Sequence, residues 1–241
     1  MLVEICANSF ESALNAQQGG ADRIELCQEL GLGGLTPSYG LLKKTLERLT
    51  IPVFVLIRPR SGNFEYTSEE FEVMLEDIAL CKKMGCAGIV SGVLNEDFTI
   101  NAHRTKVLLD ASAPMQFTFH RAFDQTPDAA KALAKLASIG CHRLLTSGHH
   151  TSAEKGLQEL LKLREASKNK PIVMPGGGIN LNNIKRFKEH GFEEIHFSAS
   201  TIKIVEREAP KISMNNLNFI SDTAVRVSAT ELIEKMIAKV K

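Results

Sequence analysis

The chain has 241 residues, is 44% hydrophobic, and carries 29 Lys and Arg against 28 Asp and Glu. That length suits one large α/β barrel or two small domains, and the apolar fraction can fill a sizeable core. A net charge of +1 without a basic run gives no footprint for nucleic acid or for an anionic membrane.

Glu4 interrupts the apolar N-terminus, so no secretory signal is expected, and no apolar run of about 18 residues suggests a membrane span. The five cysteines are dispersed and form no C-x-x-C. An odd, scattered set favours free thiols in a reducing cytoplasm over a disulfide framework.

In chain order, Leu2 to Cys6 reads as a strand, and Ser9 caps a helix carrying Phe10, Ala13 and Leu14 that stops at Gly19-Gly20. Arg23 to Cys27 is a second strand. Thr36-Pro37 opens a helix with Leu41, Leu42, Leu46 and Leu49 on its buried side. Pro52 to Arg58 is mostly apolar, as strands buried on both faces are. Thr67 and Glu70 form a capping box for the helix carrying Phe71, Met74, Leu75 and Ile78. Gly88 to Ser91 is a short strand, followed by a helix from Asn101 to Ala111.

Gln116 to Phe119 alternates as a strand, with Phe117 and Phe119 on one face and Thr118 and His120 on the other. Thr126-Pro127-Asp128 then reads as N-cap, first-turn proline and an acid suited to the helix dipole. That helix ends near Gly140. His142 to Thr146 is a strand, and Ser152 to about Ser167 a helix. Pro171 to Pro175 is a strand, followed by Gly176-Gly177-Gly178 and a helix carrying Leu181, Ile184 and Phe187. Glu194 to Ser198 is the eighth strand. The tail from Ser228 to Lys241 is amphipathic through Leu232, Ile233, Met236 and Ile237, with Ser228 and Glu231 as a second capping box.

Eight strands alternating with helices imply a parallel sheet. In about 240 residues a single closed (β/α)8 TIM-type barrel is the natural solution. An open doubly wound sheet is the rival, but the first βα loop lacks G-x-G-x-x-G. No domain boundary stands out in 1–241. The stretch 201–227 has no clear period and is expected to be an ordered surface excursion, a lid or an oligomer contact.

Barrel sites gather at the C-terminal strand ends. Glu4 and Cys6 share a strand face, and Glu25 and Cys27 repeat the pair on the next strand. Inward carboxylates are expensive unless paired, so Arg58 and Arg60 are candidate counter-charges and His120 and His196 candidate hydrogen-bond partners. Either these groups plug the barrel as a structural network, or they form a polar ligand site with His120 as general acid or base and Asp124 orienting it. Cys6 and Cys27 lie near the same mouth, where two thiolates could hold a soft ion such as copper(I) or simply pack as small core residues. Cys81, Cys86 and Cys141 look structural. Gly176, Gly177 and Gly178 let backbone N–H groups approach a phosphate-like anion, with Ser198 completing the site and Asn180 capping the next helix. No Lys at a strand end suggests a Schiff-base aldolase, strand 1 has no H-x-H, and no G-x-S-x-G elbow occurs.

The chain resembles the CutC family, named for copper homeostasis. The matching stretches are Glu4-Ile5-Cys6, Gly20 to Cys27, Gly33 to Ser38, Ile57-Arg58-Pro59-Arg60, Thr118 to Asp124, Leu144 to Gly148 and Glu194-Ile195-His196. The likeness fades after about Ser200. The resemblance implies a cytoplasmic TIM-type barrel, a homo-oligomer, and copper binding with Cys6 and Cys27 as the copper ligands. It puts Glu4, Glu25, Arg58, Arg60, His120 and Asp124 at the polar mouth. One departure is Ser61-Gly62-Asn63, where the family pattern often reads Gly-Gly-Asp. Two functions follow: copper(I) binding and homeostasis, or an enzyme acting on a small anionic or phosphorylated metabolite at the mouth.

Overall fold

In the computed structural model the described residues are 1–206, 208, 211–213 and 222–241. Eight parallel strands form the barrel: β1 (Leu2–Ala7), β2 (Arg23–Leu26), β3 (Val53–Leu56), β4 (Gly88–Ser91), β5 (Gln116–Phe119), β6 (Arg143–Thr146), β7 (Ile172–Pro175) and β8 (Glu194–Phe197). Each of β1 to β7 pairs with its sequence neighbour, and β1 also pairs with β8 through Leu2–Glu194 to Ile5–Phe197. The last seam, β7 to β8, is joined by one parallel bridge between Gly176 and His196. The fold is the expected (β/α)8 barrel, not an open sheet.

Seven helices follow the strands: α1 (Phe10–Gln18), α2 (Tyr39–Arg48), α3 (Ser68–Met84), α4 (Ala102–Ser112), α5 (Ala129–Ser138), α6 (Leu157–Ser167) and α7 (Ile184–Glu189). The strand alternation sends Ile5, Ile24, Val55, Ile89, Phe117, Leu144, Val173 and Ile195 into the layer beneath these helices. A separate apolar cluster of Cys6, Cys27, Phe54, Leu56 and Val90 lies inside the barrel. The two cysteines therefore share the interior.

Several helix starts form as the sequence reads. Ser9 accepts the Ser12 N–H, and Thr67 and Glu70 form the reciprocal capping box of α3. Others shift. The cap of α2 is Ser38, because Thr36 instead accepts the Arg58 N–H and ties the loop to β3. Asp128 caps α5, since Arg121–Gln125 forms a 3-10 turn first and Thr126 ends it. The helix expected from Ser152 begins at Leu157, and Asn183, not Asn180, precedes α7. The stretch expected as an irregular excursion begins and ends as an antiparallel ribbon, β9 (Ser200–Ile204) with β10 (Ala224–Ser228). Residues 207, 209, 210 and 214–221 of that stretch lie outside the described residues. Ser228 ends the ribbon and donates its N–H to Ser12 Oγ, so the expected second capping box does not form. The final helix α8 (Thr230–Ile237) buries Ile233 and Met236, with Ile233 against Gly19 at the end of α1.

Candidate functional site

The inward faces of the strands carry charge where a barrel usually stacks branched apolar residues. Deepest is a network made by β1, β2, β6 and β8. Arg23 ion-pairs with Glu4 and, through Nη2, with Glu194 Oε2 at 2.6 Å. Arg143 grips Glu194 through Nε and through Nη2, the latter at 2.9 Å from Oε1, and its Nη2 also reaches Gln116 Oε1. Both guanidinium groups lie over the Phe54 ring, at 4.6 and 5.4 Å from its centroid. Glu4 completes its shell by accepting from His196 Nδ1 at 2.8 Å. Burial alone would raise the Glu4 carboxyl, but Arg23 and His196 outweigh it and hold the pKa at about 2.

One layer nearer the mouth sit Glu25, Cys6, Cys27 and His196, all buried. The two sulfurs are 3.7 Å apart. Ligand atoms of Cys6, Glu25 and His196 all lie within 4.8 Å of one another. Glu25 Oε2 is 3.6 Å from His196 Nδ1 but makes no hydrogen bond among the described residues. Burial, with repulsion from Glu4, pushes the Glu25 carboxyl up to about 7 against the opposing pull of His196 and Arg23. Burial disfavours charge on His196, yet Cys6, Glu4 and Glu25 together raise its pKa well above the ordinary value. The hydrogen bond it shares with Cys27 and burial both raise the Cys6 thiol.

Above this layer opens a cavity of about 370 Å³ at the C-terminal mouth. Its polar lining is Cys6, Glu25, Arg58, His120, Arg121, His196 and Ser198. Gly177 and Gly178 contribute backbone, and Leu56, Phe64 and Phe197 are among the apolar walls. His120 ends β5 and accepts the Ala122 N–H on Nδ1, so its ring proton sits on Nε2, which has no partner among the described residues. Burial and the nearby Arg58 drive its pKa down to about 3, so the ring is neutral at pH 7. Gly92, after β4, leaves the space this ring fills: a Cβ there would come within 2.8 Å of it.

The site residues expected from sequence separate into three places. Glu25, Arg58, His120, Gly177, Gly178, Ser198 and Cys6 line the cavity. Glu4 and Cys27 lie beneath it, both 0% exposed. Arg60, Asp124 and Gly176 are elsewhere. Arg60 bonds Glu70 at the start of α3, at 3.1 Å from Nη2 to Oε2. Gly176 continues β7 by donating to the Thr146 carbonyl. Asp124 accepts from Thr146 Oγ1, from the N–H and Oγ of Ser147, and from the His149 N–H, and it pairs with Arg121. It does not orient His120.

The counter-charge of the inward acids is Arg23, not Arg58. Arg58 donates instead to the carbonyls of Leu32, Gly34 and Gly62, tying two mouth loops together. Sequence reasoning missed Arg23, Arg143 and Glu194, and gave Arg121 no role. Parity was the available signal for the first and third, since Arg23 and Glu194 stand two residues before Glu25 and His196 on the same strand faces.

The model of the CutC family matches residues 1–201. The family protein CutC of Enterobacter sp. strain 638 is 48% identical over 198 residues, 82% of this chain and 80% of its own length. That of Photorhabdus laumondii is 48% identical over 202 residues, 84% of this chain and 81% of its own. A solved structure from Streptococcus agalactiae, described as a candidate copper homeostasis protein CutC, superposes with a TM-score of 0.77 at 32% identity. It covers 82% of this chain and 98% of its own. Thiamine phosphate pyrophosphorylase from Pyrococcus furiosus aligns over 99% of this chain and 95% of its own with a TM-score of 0.59 but 14% identity, which is a likeness of fold alone. The ribbon β9–β10 and helix α8 fall almost wholly beyond the family match.

Proposed function

The chain belongs to the CutC family, and on that premise we propose that it binds copper(I) as its cargo through Cys6 and Cys27, flanked by His196 and Glu25. The observation that carries this reading is the pair of sulfurs 3.7 Å apart inside the barrel, with Cys6 on the cavity wall. The donor set passes a simple fit test. Thiolates on one ion at about 2.3 Å each can be at most about 4.6 Å apart. Thiolate and imidazole are soft to borderline donors, which suits copper(I) better than a hard cation. Cys6 offers the entry point and Cys27 the enclosed partner.

The reading takes 1–241 as one domain, working as a homo-oligomer in the cytoplasm, where thiols stay reduced. It is supported by the five free cysteines, and no helix among the described residues is long and apolar enough to cross a membrane. Copper(I) titration against a competing chromophoric chelator tests it. Wild type should take one ion per chain, and the double change Cys6→Ser with Cys27→Ser should abolish that uptake. Unchanged stoichiometry and affinity would remove the two thiols from the claim.

A specific observation favours a second reading, an enzyme on a small anionic or phosphorylated metabolite. His120 Nε2 and Glu25 Oε2 are buried, lack partners among the described residues and belong to residues lining one cavity. Unsatisfied buried polar atoms are costly, and a ligand in the cavity would relieve them.

A further inference from the structure

We propose that Arg121 is the anchor of a small-oxyanion site at the barrel mouth, taking a carboxylate or phosphate whose body extends into the cavity toward His120. The proposal rests on the second reading above and names the anchor and ligand class of that site.

Three features of Arg121 support it. Its guanidinium is aimed by two bonds, from Nε to Asp124 Oδ2 and from Nη2 to Ser147 Oγ, both 2.8 Å. Asp124 is itself held by Thr146, Ser147 and His149, so the clamp is fixed to the end of β6 and the loop after it. A side chain that is 44% exposed seldom needs so much fixing for stability, because exposed ion pairs contribute little. Fixing it instead pre-organises the remaining donors. Nη1 has no protein partner among the described residues, and Arg121 lines the cavity.

The wall beside it is backbone. A Cβ on Gly177 would lie 3.1 Å from Cζ and Nη1 of Arg121, and Gly177 has φ +97°. The glycine thus permits both the turn and the close approach of the guanidinium plane. Arg rather than Lys suits this role, since its planar fork can spend two nitrogens on the protein and still offer the third to an oxyanion.

The rest of the cavity points to the same ligand chemistry. Among the described residues His120 Nε2–H is a buried donor without an acceptor, and Arg58 Nε is another. Arg58 and Arg121 both bring a guanidinium to this lining. Phe64 packs between Arg58 and His120, with its ring centroid 4.9 Å from the guanidinium carbon and 4.8 Å from the imidazole centroid. A ligand bringing negative charge to Arg121 and an acceptor oxygen to His120 satisfies what the protein leaves open. A cavity of about 370 Å³ limits it to a small metabolite.

The test uses inorganic phosphate and pyruvate as probes of the two oxyanion classes, measured by calorimetry on the full chain without added metal. Wild type should bind at least one of them, and Arg121→Gln should weaken that binding by about tenfold or more, as loss of a charge-assisted hydrogen bond implies. Arg121→Lys should recover only part of the loss. If a probe binds wild type and Arg121→Gln equally, the anchor proposal is overturned while the small-anion reading stands. If neither probe binds wild type, both are overturned. Which probe binds separates a phosphate head from a carboxylate head. Arg121 lies at the rim, and equal melting temperatures for the variants and wild type confirm that binding, not folding, has changed.

Discussion

The charged floor of the barrel gives the sharpest test of the structure. Arg23→Met keeps most of the side-chain stem but removes the guanidinium that lies over Phe54 and is shared by Glu4 and Glu194. Both acids stay buried, and each keeps one cationic neighbour: His196 for Glu4 and Arg143 for Glu194. Breaking a buried pair costs about 3–5 kcal/mol, because the stranded carboxylate must ionise without its partner or take up a proton. Linkage gives a similar figure. The Glu4 pKa falls from 4.5 to about 2 in the folded protein, and 2.5 units at about 1.36 kcal/mol each is about 3 kcal/mol. Glu4 is fully buried, so solvent screening does not discount this much.

The sign sets the pH window. A carboxyl depressed by folding contributes stability that is complete above about pH 4.5 and lost as pH falls toward 2. The deficit of Arg23→Met should therefore be full at pH 7 and shrink below pH 4.5. For a chain of this size each kcal/mol moves the thermal midpoint by about 2–4 °C, so a drop of roughly 6–20 °C is expected at pH 7. Thermal scans at pH 7 and pH 4 measure it. A midpoint within about 2 °C of wild type at pH 7, or a deficit that grows on acidification, would refute the reasoning.

Two further outcomes follow from the layer above. Glu25, raised to about 7, binds its proton more tightly folded than unfolded, so the stability it contributes is complete below about pH 4.5 and lost as pH rises to 7. Glu25→Gln cannot ionise; thermal midpoints should match wild type at pH 4 and exceed it at pH 8 by the equivalent of about 3 kcal/mol, and a pH-independent difference would contradict this. If copper(I) is held by Cys6 and Cys27 as thiolates, binding releases protons, and the affinity should rise about tenfold to a hundredfold per pH unit near neutrality. Chelator competition at pH 6 and pH 7 reads this directly, and a flat profile would argue against thiolate ligation.

Strand periodicity made much of this arrangement legible. The order of strands and helices follows from apolar runs punctuated by Gly and capping residues, and the barrel closes as that alternation requires. Parity placed Glu4, Cys6, Glu25 and Cys27 on inward faces. Which charge meets which acid was not legible, because a long arginine can turn inward or wrap along the chain. Arg23 and Arg58 both lie on inward faces of neighbouring strands, yet Arg58 spends its donors on loop carbonyls. Asp124 misled for a related reason. It stands four residues from His120, but the 3-10 turn Arg121–Gln125 carries it toward the β6 loop and Arg121. The contact of positive-φ Gly177 with Arg121 depends on two distant strand ends meeting, which no local pattern encodes.

Glu4 joins the floor to the cysteine layer, and this gives the Arg23 variant a second readout. It lies out of reach of the cavity, yet its carboxylate takes Arg23 on one side and His196 Nδ1 on the other. A histidine whose Nδ1 is committed to a carboxylate presents Nε2 to an ion, with ring orientation and basicity set by that partner. On the proposed copper reading Glu4 would be a positioning residue for His196, with Arg23 positioning Glu4. If the network were scaffold alone, Arg23→Met would lower stability and leave copper(I) affinity where it was. If the floor holds His196 for the ion, the same change weakens copper(I) binding in folded protein at pH 7, although it alters nothing that lines the cavity. Loss of an outer partner of this kind typically costs about 10–100-fold in affinity, well within the range of a chelator competition assay. An unchanged affinity in Arg23→Met would leave the two thiols as the whole of the copper site.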